Sequence, residues 1–372
     1  MPRQRTRGRR SRVTCAAALF PTLILLALTP TAGAGTANEW IYYLVHPAPP
    51  AGALRCNSTS IWRVRPDGTS AQEVLPPAYD NFVFPDDNAA SQTDGEFSVS
   101  PDGRYIVRVL AAPTPLGQTN EAHLFVYDLA AGTVRQLTFG HFADRWPAIS
   151  PNDQTVAFTR TSYRKPMFFG AGAETTVTET VPLTGGAPHV VPESSGETGN
   201  RQISWVSNTA FEQEQGTGGA VTVNVSSGQT TQWLRPTSAY APLVFSSTWT
   251  PFGILYTSST LTINGSLKHR PPEGLYLAEH PVKVAGKLLR RYKWSIGLPP
   301  ANGLYSLQVI PGTRALVAER HEHLVTGPIN GALRPIAVPS GTAARPEIAF
   351  GSATLPSAGA ATPIAGSAPP CA

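Results

Sequence analysis

Apolar residues come in short runs along the chain, separated by Gly, Pro, Asp, Asn and Ser. In Leu124-Phe-Val-Tyr-Asp128 and Ile61-Trp-Arg-Val64 apolar and polar positions alternate, as a strand with one covered face requires. One pattern occurs twice. Phe97-Ser-Val-Ser-Pro-Asp-Gly-Arg-Tyr-Ile-Val107 returns in eroded form as Pro147-Ala-Ile-Ser-Pro-Asn-Asp-Gln-Thr-Val-Ala-Phe158, with Pro101 and Pro151 50 residues apart. Between them, Leu124 to Thr138 reads as two short strands around a turn. A repeat of this length made only of strand and turn predicts the blades of a β-propeller.

Weaker copies follow the same plan. The strand after each turn is expected near Tyr42, Ile106, Val156, Phe211, Leu255 and Leu316, in the inner place of its blade. Ala344-Arg-Pro-Glu-Ile-Ala-Phe350 resembles the strand before a turn, but no turn follows it. Trp40-Ile-Tyr-Tyr43 lacks the strand that should precede it. Each supplies what the other is missing. The expected fold is therefore all-β: a six-bladed β-propeller over residues 35–350, closed by pairing of the C-terminal strand with the first blade. Closure removes open sheet edges that invite aggregation. Residues 351–372, rich in Ala, Pro, Ser and Gly, read as a disordered tail.

The first 34 residues stand apart. Six arginines between Arg3 and Arg12 precede an uncharged apolar run, Cys15 to Leu28, and then Ala32-Gly-Ala34. This is the layout of a secretory signal peptide. The apolar run is shorter than the roughly 20 residues of a membrane span, so no span is expected after cleavage. The leader also accounts for the charge. The chain carries 29 basic and 24 acidic residues, and taking away the six arginines leaves 23 against 24, a balance of −1. Nothing then points to nucleic acid. With 33 Gly and 36 Pro the chain suits many tight turns and disfavours long helices. Two cysteines remain after the leader, Cys56 and Cys371, and an even pair in an exported chain suggests a disulfide stapling the tail to the first blade.

Leu124-Phe-Val-Tyr-Asp128, Gly132, Gln136-Leu-Thr138, Pro147, Ser150-Pro151 and Val156-Ala-Phe158 together resemble the TolB-like, or WD40-like (PD40), β-propeller repeat family, and Ser100-Pro-Asp-Gly103 matches it again. The resemblance is strongest over residues 96–160. It implies a six-bladed propeller of the kind often found in the periplasm or secreted. TolB carries an α/β domain before its propeller, and this chain has no room for one. Prolyl oligopeptidase relatives carry a hydrolase domain after it, yet no Gly-x-Ser-x-Gly elbow follows here.

Candidate chemistry lies in the loops. Gly140-His-Phe-Ala-Asp-Arg-Trp146 is expected as a loop at one mouth of the central channel, where His141, Asp144 and Arg145 are placed to meet a ligand. Asp94 and Glu96 hold the matching place one blade earlier, and Arg201, Tyr240 and Arg345 hold comparable ones. Convergent polar groups in a concavity suggest a binding site; the same groups equally suit hydrogen bonds between blades. His321-Glu-His323 has two imidazoles at strand spacing but no identifiable third ligand, so no metal is expected. Lys283 to Lys293 reads as a solvated basic hairpin, and the carboxylates Glu212 and Glu214 carry no weight on their own. No cofactor is implied. The expected function is a monomeric, non-catalytic binding or scaffold module, secreted or periplasmic, for an envelope protein or cell-wall glycan. The alternative is a polysaccharide lyase or glycoside hydrolase using channel-mouth His and acidic residues. If the disulfide forms, peptide mapping under non-reducing conditions recovers Cys56 and Cys371 in one linked fragment; two free thiols refute it.

Overall fold

The computed structural model describes residues 39–46, 58–79, 96–111, 121–163, 174–192, 202–215, 219–234, 243–259, 274–282, 285–291, 304–310, 312–320, 323–338 and 342–349. Among them all regular structure is strand. None contains a helix long and apolar enough to cross a membrane. Cys56 and Cys371 lie outside the described residues, as do the expected signal peptide, residues 1–34, and the expected tail, residues 351–372.

Five antiparallel sheets account for the fold. β1 (Trp40–His46), β2 (Ser58–Val64) and β3 (Gln72–Tyr79) are joined by β24 (Thr342–Ala349), which pairs with β1 along Trp40↔Ala349 to His46↔Thr342. An eight-stranded sheet holds β4 (Phe97–Val99), β5 (Tyr105–Ala111), β6 (Ala122–Asp128), β7 (Thr133–Gln136), β8 (Phe142–Ile149), β9 (Thr155–Tyr163), β10 (Glu174–Pro182) and β11 (His189–Val190). Its two halves, β4 to β7 and β8 to β11, are joined as one sheet by a parallel pairing of Ala122 with Ala143. Three four-stranded sheets follow. The first contains β12 (Ile203–Ser207), β13 (Ala210–Gln215), β14 (Gly219–Asn224) and β15 (Thr230–Leu234). The second contains β16 (Leu243–Thr250), β17 (Gly253–Ser259), β18 (Gly274–Ala278) and β19 (Lys287–Arg291). The third contains β20 (Tyr305–Ile310), β21 (Ala315–Arg320), β22 (His323–Pro328) and β23 (Arg334–Pro335).

The sheets pack face to face, which explains why the expected alternation is muted. Leu124, Val126 and Tyr127 of β6 are all buried, and every residue of β18 is. A strand covered on both faces has no solvent side on which to display a polar residue. Each apolar cluster joins consecutive groups of strands. Tyr42, Leu44 and Ile61 meet Phe97, Val99 and Ile106. Val107, Leu124 and Val126 meet Val156, Phe158 and Val181. Ala148 and Ala157 meet Phe211 and Val223, Ala220 and Leu234 meet Tyr256 and Tyr276, and Leu255 and Leu275 meet Leu316 and Val325. Ile41, Tyr43 and Val64 meet Val317 and Leu324. At about 1.5–3 kcal/mol for each large apolar side chain removed from water, these seams are the main source of cohesion.

The residues assigned to inner strands fall elsewhere. Tyr42, Ile106, Val156, Phe211, Leu255 and Leu316 lie on β1, β5, β9, β13, β17 and β21, second in their strand groups. The strands that pack group against group are those before the turn. β4 packs against β8, β8 against β12, β12 against β16, β16 against β20, β20 against β24, and β24 against β4. The motif read correctly as a repeat, but it marks the step from first strand to second.

The turn itself explains its sequence. The Ser100 hydroxyl donates to Asp102 Oδ1 (2.6 Å) and accepts from the Tyr105 N–H (2.8 Å), while Asp102 Oδ1 also accepts from the Arg104 N–H (2.9 Å). Gly103 takes φ 74°, a left-handed conformation that costs glycine nothing. In the eroded copy Ser150 and Asn152 reproduce the bonds (2.7 Å), and Asp153 sits in the left-handed place with φ 58°. Burial, aided by the Asp102 charge, pushes the Asp153 carboxyl up to about 6, and its Oδ1 has no hydrogen-bond partner among the described residues. The folded state therefore favours the protonated acid. Its destabilising effect is absent below the unfolded value near 3.8 and complete once pH exceeds about 6. Asp153→Gly is expected to stabilise the protein by about 1 kcal/mol from backbone relief alone, and by more at pH 7 than at pH 4. Thermal melts of both proteins at the two pH values check this; an equal or lower Tm for the variant at pH 7 refutes it.

Candidate functional site at the first-strand edges

A strand that ends a sheet leaves N–H and C=O groups unpaired. The first strands of these groups share a response to that problem. β8, β16, β20 and β24 each slip register against their partners, between Arg145 and Ala148, Val244 and Ser246, Tyr305 and Gln308, and Ala344 and Glu347. In two of these slips a non-glycine residue turns left-handed, Trp146 at φ 54° and Ser306 at φ 48°. Trp146 precedes Pro147, which ordinarily holds its predecessor in extended conformation. Such a residue costs roughly 1–3 kcal/mol and persists only where its surroundings over-determine it.

What over-determines Trp146 is Glu96, the residue just before β4. Its Oε2 accepts the Trp146 backbone N–H. Its Oε1 accepts from Arg145 Nε (3.1 Å) and Nη2 (2.9 Å). The Arg145 guanidinium also stands 5.7 Å from the Trp146 ring centre. Glu96 is only 3% exposed, but the Arg145 side chain keeps 21% of its surface open. Serines fill the corresponding role elsewhere. Ser98 accepts the Ile149 N–H (3.1 Å), Ser204 accepts the Trp249 N–H (3.1 Å), and Ser246 accepts the Leu307 N–H (3.2 Å). In each case a side chain from one first strand, or from the residue just before it, satisfies a backbone donor of the next.

Asp144 and Arg145 were expected in a loop; both lie within β8. Asp144 is fully buried and grips Arg160, Oδ1 to Nε at 2.6 Å and Oδ2 to Nη2 at 2.9 Å. Arg160 Nη1 stands 2.9 Å from Glu179 Oε2 as an ion pair, without hydrogen-bond alignment. His123 Nδ1 lies 3.8 Å from Asp144 Oδ2. A buried pair of this kind adds little net stability, because desolvation offsets attraction, yet neither charge is tolerable alone. His141 is the opposite case: its side chain is 94% exposed, with Nδ1 2.6 Å from Glu121 Oε1. The exposed Phe139 lies two residues away. Thus Glu96 and Arg145 are brought into direct contact, Asp144 faces a separate buried network, and His141 stands in solvent. Arg345 occupies the register slip of β24. Asp94, Arg201 and Tyr240 lie outside the described residues, as does His321. Among the described residues no group of three or more His, Cys, Asp or Glu side chains is placed to hold a metal ion.

Sequence reasoning passed over two features. The capping serines Ser98, Ser204 and Ser246 left one faint trace, a small polar residue repeated among the apolar residues before the turns. Glu212, Gln213 and Glu214 are all buried at mid-strand in β13. Gln213 Nε2 donates to Thr178 Oγ1 (2.7 Å), and the Ser247 hydroxyl donates to Glu212 Oε1 (2.7 Å). Burial pushes the Glu212 carboxyl up to about 8; the Ser247 bond opposes this and the Glu214 charge adds to it.

The fold has counterparts among solved structures. TolB from Acinetobacter baumannii superposes with a TM-score of 0.54 at 14% identity, over 84% of this chain and 66% of that one. This chain therefore spans about two thirds of that protein's length. A putative TolB from Agrobacterium tumefaciens aligns with TM-score 0.47 and 13% identity over 84% and 98% of the two chains. An oligogalacturonate lyase from Vibrio parahaemolyticus gives 0.49 and 12% over 80% of each. No family model and no curated protein matches the sequence. The fold is that of a TolB-like β-propeller.

Glu212 supplies a pH test. Its folded-state value lies above the ordinary 4.5, so the folded protein holds a proton that the unfolded chain has released. That contribution is present in full below pH 4.5 and is lost as pH rises through about 8. Glu212→Gln keeps the shape and the Ser247 bond without the ionisation. The variant's stability, measured by urea unfolding, is expected to fall less than the wild type's between pH 5 and 8.5. Parallel profiles refute this assignment.

Proposed function

We propose that the chain is an exported, closed six-bladed propeller that acts as a non-catalytic binding module for an envelope protein or glycan. The closed ring of six is supported by the order in which the first strands pack, ending with β24 between β20 and β4, and by the pairing of β24 with β1. In this reading residues 1–34 are a cleaved signal peptide, 35–350 the propeller and 351–372 a tail, with Cys56 bridged to Cys371. Export rests on the arginine-rich leader and apolar run.

The Glu96–Arg145–Trp146 constellation carries the functional proposal. It combines a charged group, an aromatic ring and strained backbone at a sheet edge, with Arg145 open to solvent. Strained backbone concentrates at ligand sites, because a fold without such a duty relaxes it. His141, Asp94, Arg201, Tyr240 and Arg345 are proposed to extend the contact surface around the same mouth. Asp144 faces the separate buried network with Arg160 and is left out of this contact surface. Antiparallel strands place the longer connections at the end from which β8 starts and the Ser-Pro-Asp-Gly-type turns at the other.

The test is capture from the native envelope by immobilised protein. His141→Ala/Arg145→Ala, which spares buried Asp144, is expected to lower recovery of the specific partner by about tenfold or more. Circular dichroism confirms that the variant is folded. Undiminished recovery excludes this mouth as the site.

A further inference from the structure

The cap on the Trp146 bulge is charged where the cap on another bulge of the same sheet system is neutral. The molecule carries its own comparison in β20. Ser306 adopts the same left-handed conformation within a register slip, and the Leu307 N–H that follows is satisfied by the neutral hydroxyl of Ser246 at 3.2 Å. A serine is enough there. At β8 the capped donor is the N–H of the left-handed residue itself, since Pro147 after it has none, and its cap is a carboxylate held by an arginine. The three donors, Arg145 Nε, Arg145 Nη2 and the Trp146 N–H, engage both oxygens of one carboxylate. Charge-assisted, multidentate contacts of this kind are how proteins recognise carboxylate ligands.

We propose that this cradle is a recognition site for an acidic side chain of an extended peptide, and that Glu96 occupies it in cis until such a peptide displaces it. The proposal rests on the binding-module reading above and adds the ligand chemistry and the device that controls access. The resident group indicates the ligand. Glu96 is a glutamate at the entry to a strand, so the cradle already holds a carboxylate borne on extended backbone. Exchange requires little of the fold. The Glu96 carbonyl stays bonded to the Val109 N–H (2.8 Å), which pins its backbone, so only the side chain has to rotate away. The open surface of Arg145 provides the approach. A resident competitor lowers apparent affinity by the fraction of time that it holds the site.

The experiment removes the competitor. Acetyl-Ala-Ala-Glu-Ala-Ala-amide and its glutamine counterpart are titrated calorimetrically into purified wild type, Glu96→Ala and Glu96→Ala/Arg145→Ala. The expected result is that Glu96→Ala binds the glutamate peptide about tenfold or more tightly than wild type does, that the glutamine peptide does not bind, and that the double variant loses the gain. Glu96→Gln, whose amide oxygen still accepts the Trp146 N–H, replaces Glu96→Ala if the latter lacks a native near-ultraviolet spectrum. Equal affinity of wild type and variant for the glutamate peptide, or equal binding of the two peptides, overturns the proposal. Glucuronate binding Glu96→Ala in place of the peptide assigns the cradle to a sugar acid and overturns the peptide assignment. Because the titration needs no envelope extract, it stands or falls separately from partner capture.

Discussion

Each group of strands begins with a strand hydrogen-bonded along its length on one side only; β8 has in addition the single bridge of Ala143 to Ala122. The row of such strands, packed one against the next, cannot continue as a sheet, because face-to-face groups do not present their backbones in plane. Buried N–H groups without partners are costly, on the order of 1–3 kcal/mol each. The structure answers with side chains. Glu96, Ser98, Ser204 and Ser246 each reach from one first strand, or its immediate approach, to a backbone donor of the next. Two of those donors, the N–H groups of Trp146 and Leu307, lie within register slips of their strands. The chemistry of the mouth grows out of this constraint, since the residues nearest the unpaired edge must be polar.

The seams between strand groups are built alike in their apolar parts and differently in their polar ones. Aliphatic and aromatic side chains interlock at every seam. Across β8, β9 and β10 the polar layer is a charged network of Asp144, Arg160 and Glu179. Between β13 and β16 it is a carboxyl group whose folded environment favours its proton, held by a serine hydroxyl. At β2, β3 and β5 the fully buried Arg108 donates to the carbonyls of Thr59 and Ala78 and to the Thr59 hydroxyl. Apolar packing is tolerant of sequence, so degenerate repeats retain it. Polar layers demand particular partners, so each seam has found its own.

Legibility followed the range of the interaction. Ser100, Asp102 and Gly103 bond within a few residues of one another, and the turn they make was readable as a motif. The strand count per repeat and the affinity of Ala344–Phe350 for Trp40–Tyr43 were readable because alternation and turn signals are also local. The inner place in each group was misassigned, since the motif joins the first and second strands and does not say which faces the neighbouring groups. Glu96 and Arg145 were both singled out, but as separate loop residues. Their contact spans half a hundred positions of chain, and no local pattern encodes it. Glu212 and Glu214 were set aside because exposed paired carboxylates are common; what distinguishes them is burial between sheets, a property of the packed molecule.

The sequence by itself determined that the chain is a repeat of strands and tight turns, because turn chemistry and two-residue periodicity act over a handful of neighbours. It also separated a charged leader from a nearly neutral remainder. Only the tertiary structure decided which strand of each group stands at the exposed edge, which carboxylate meets which guanidinium, and where the backbone is held left-handed against its preference. Those outcomes depend on how whole sheets pack against one another. In such packing a buried charge or an unpaired N–H takes its partner from the neighbouring group of strands.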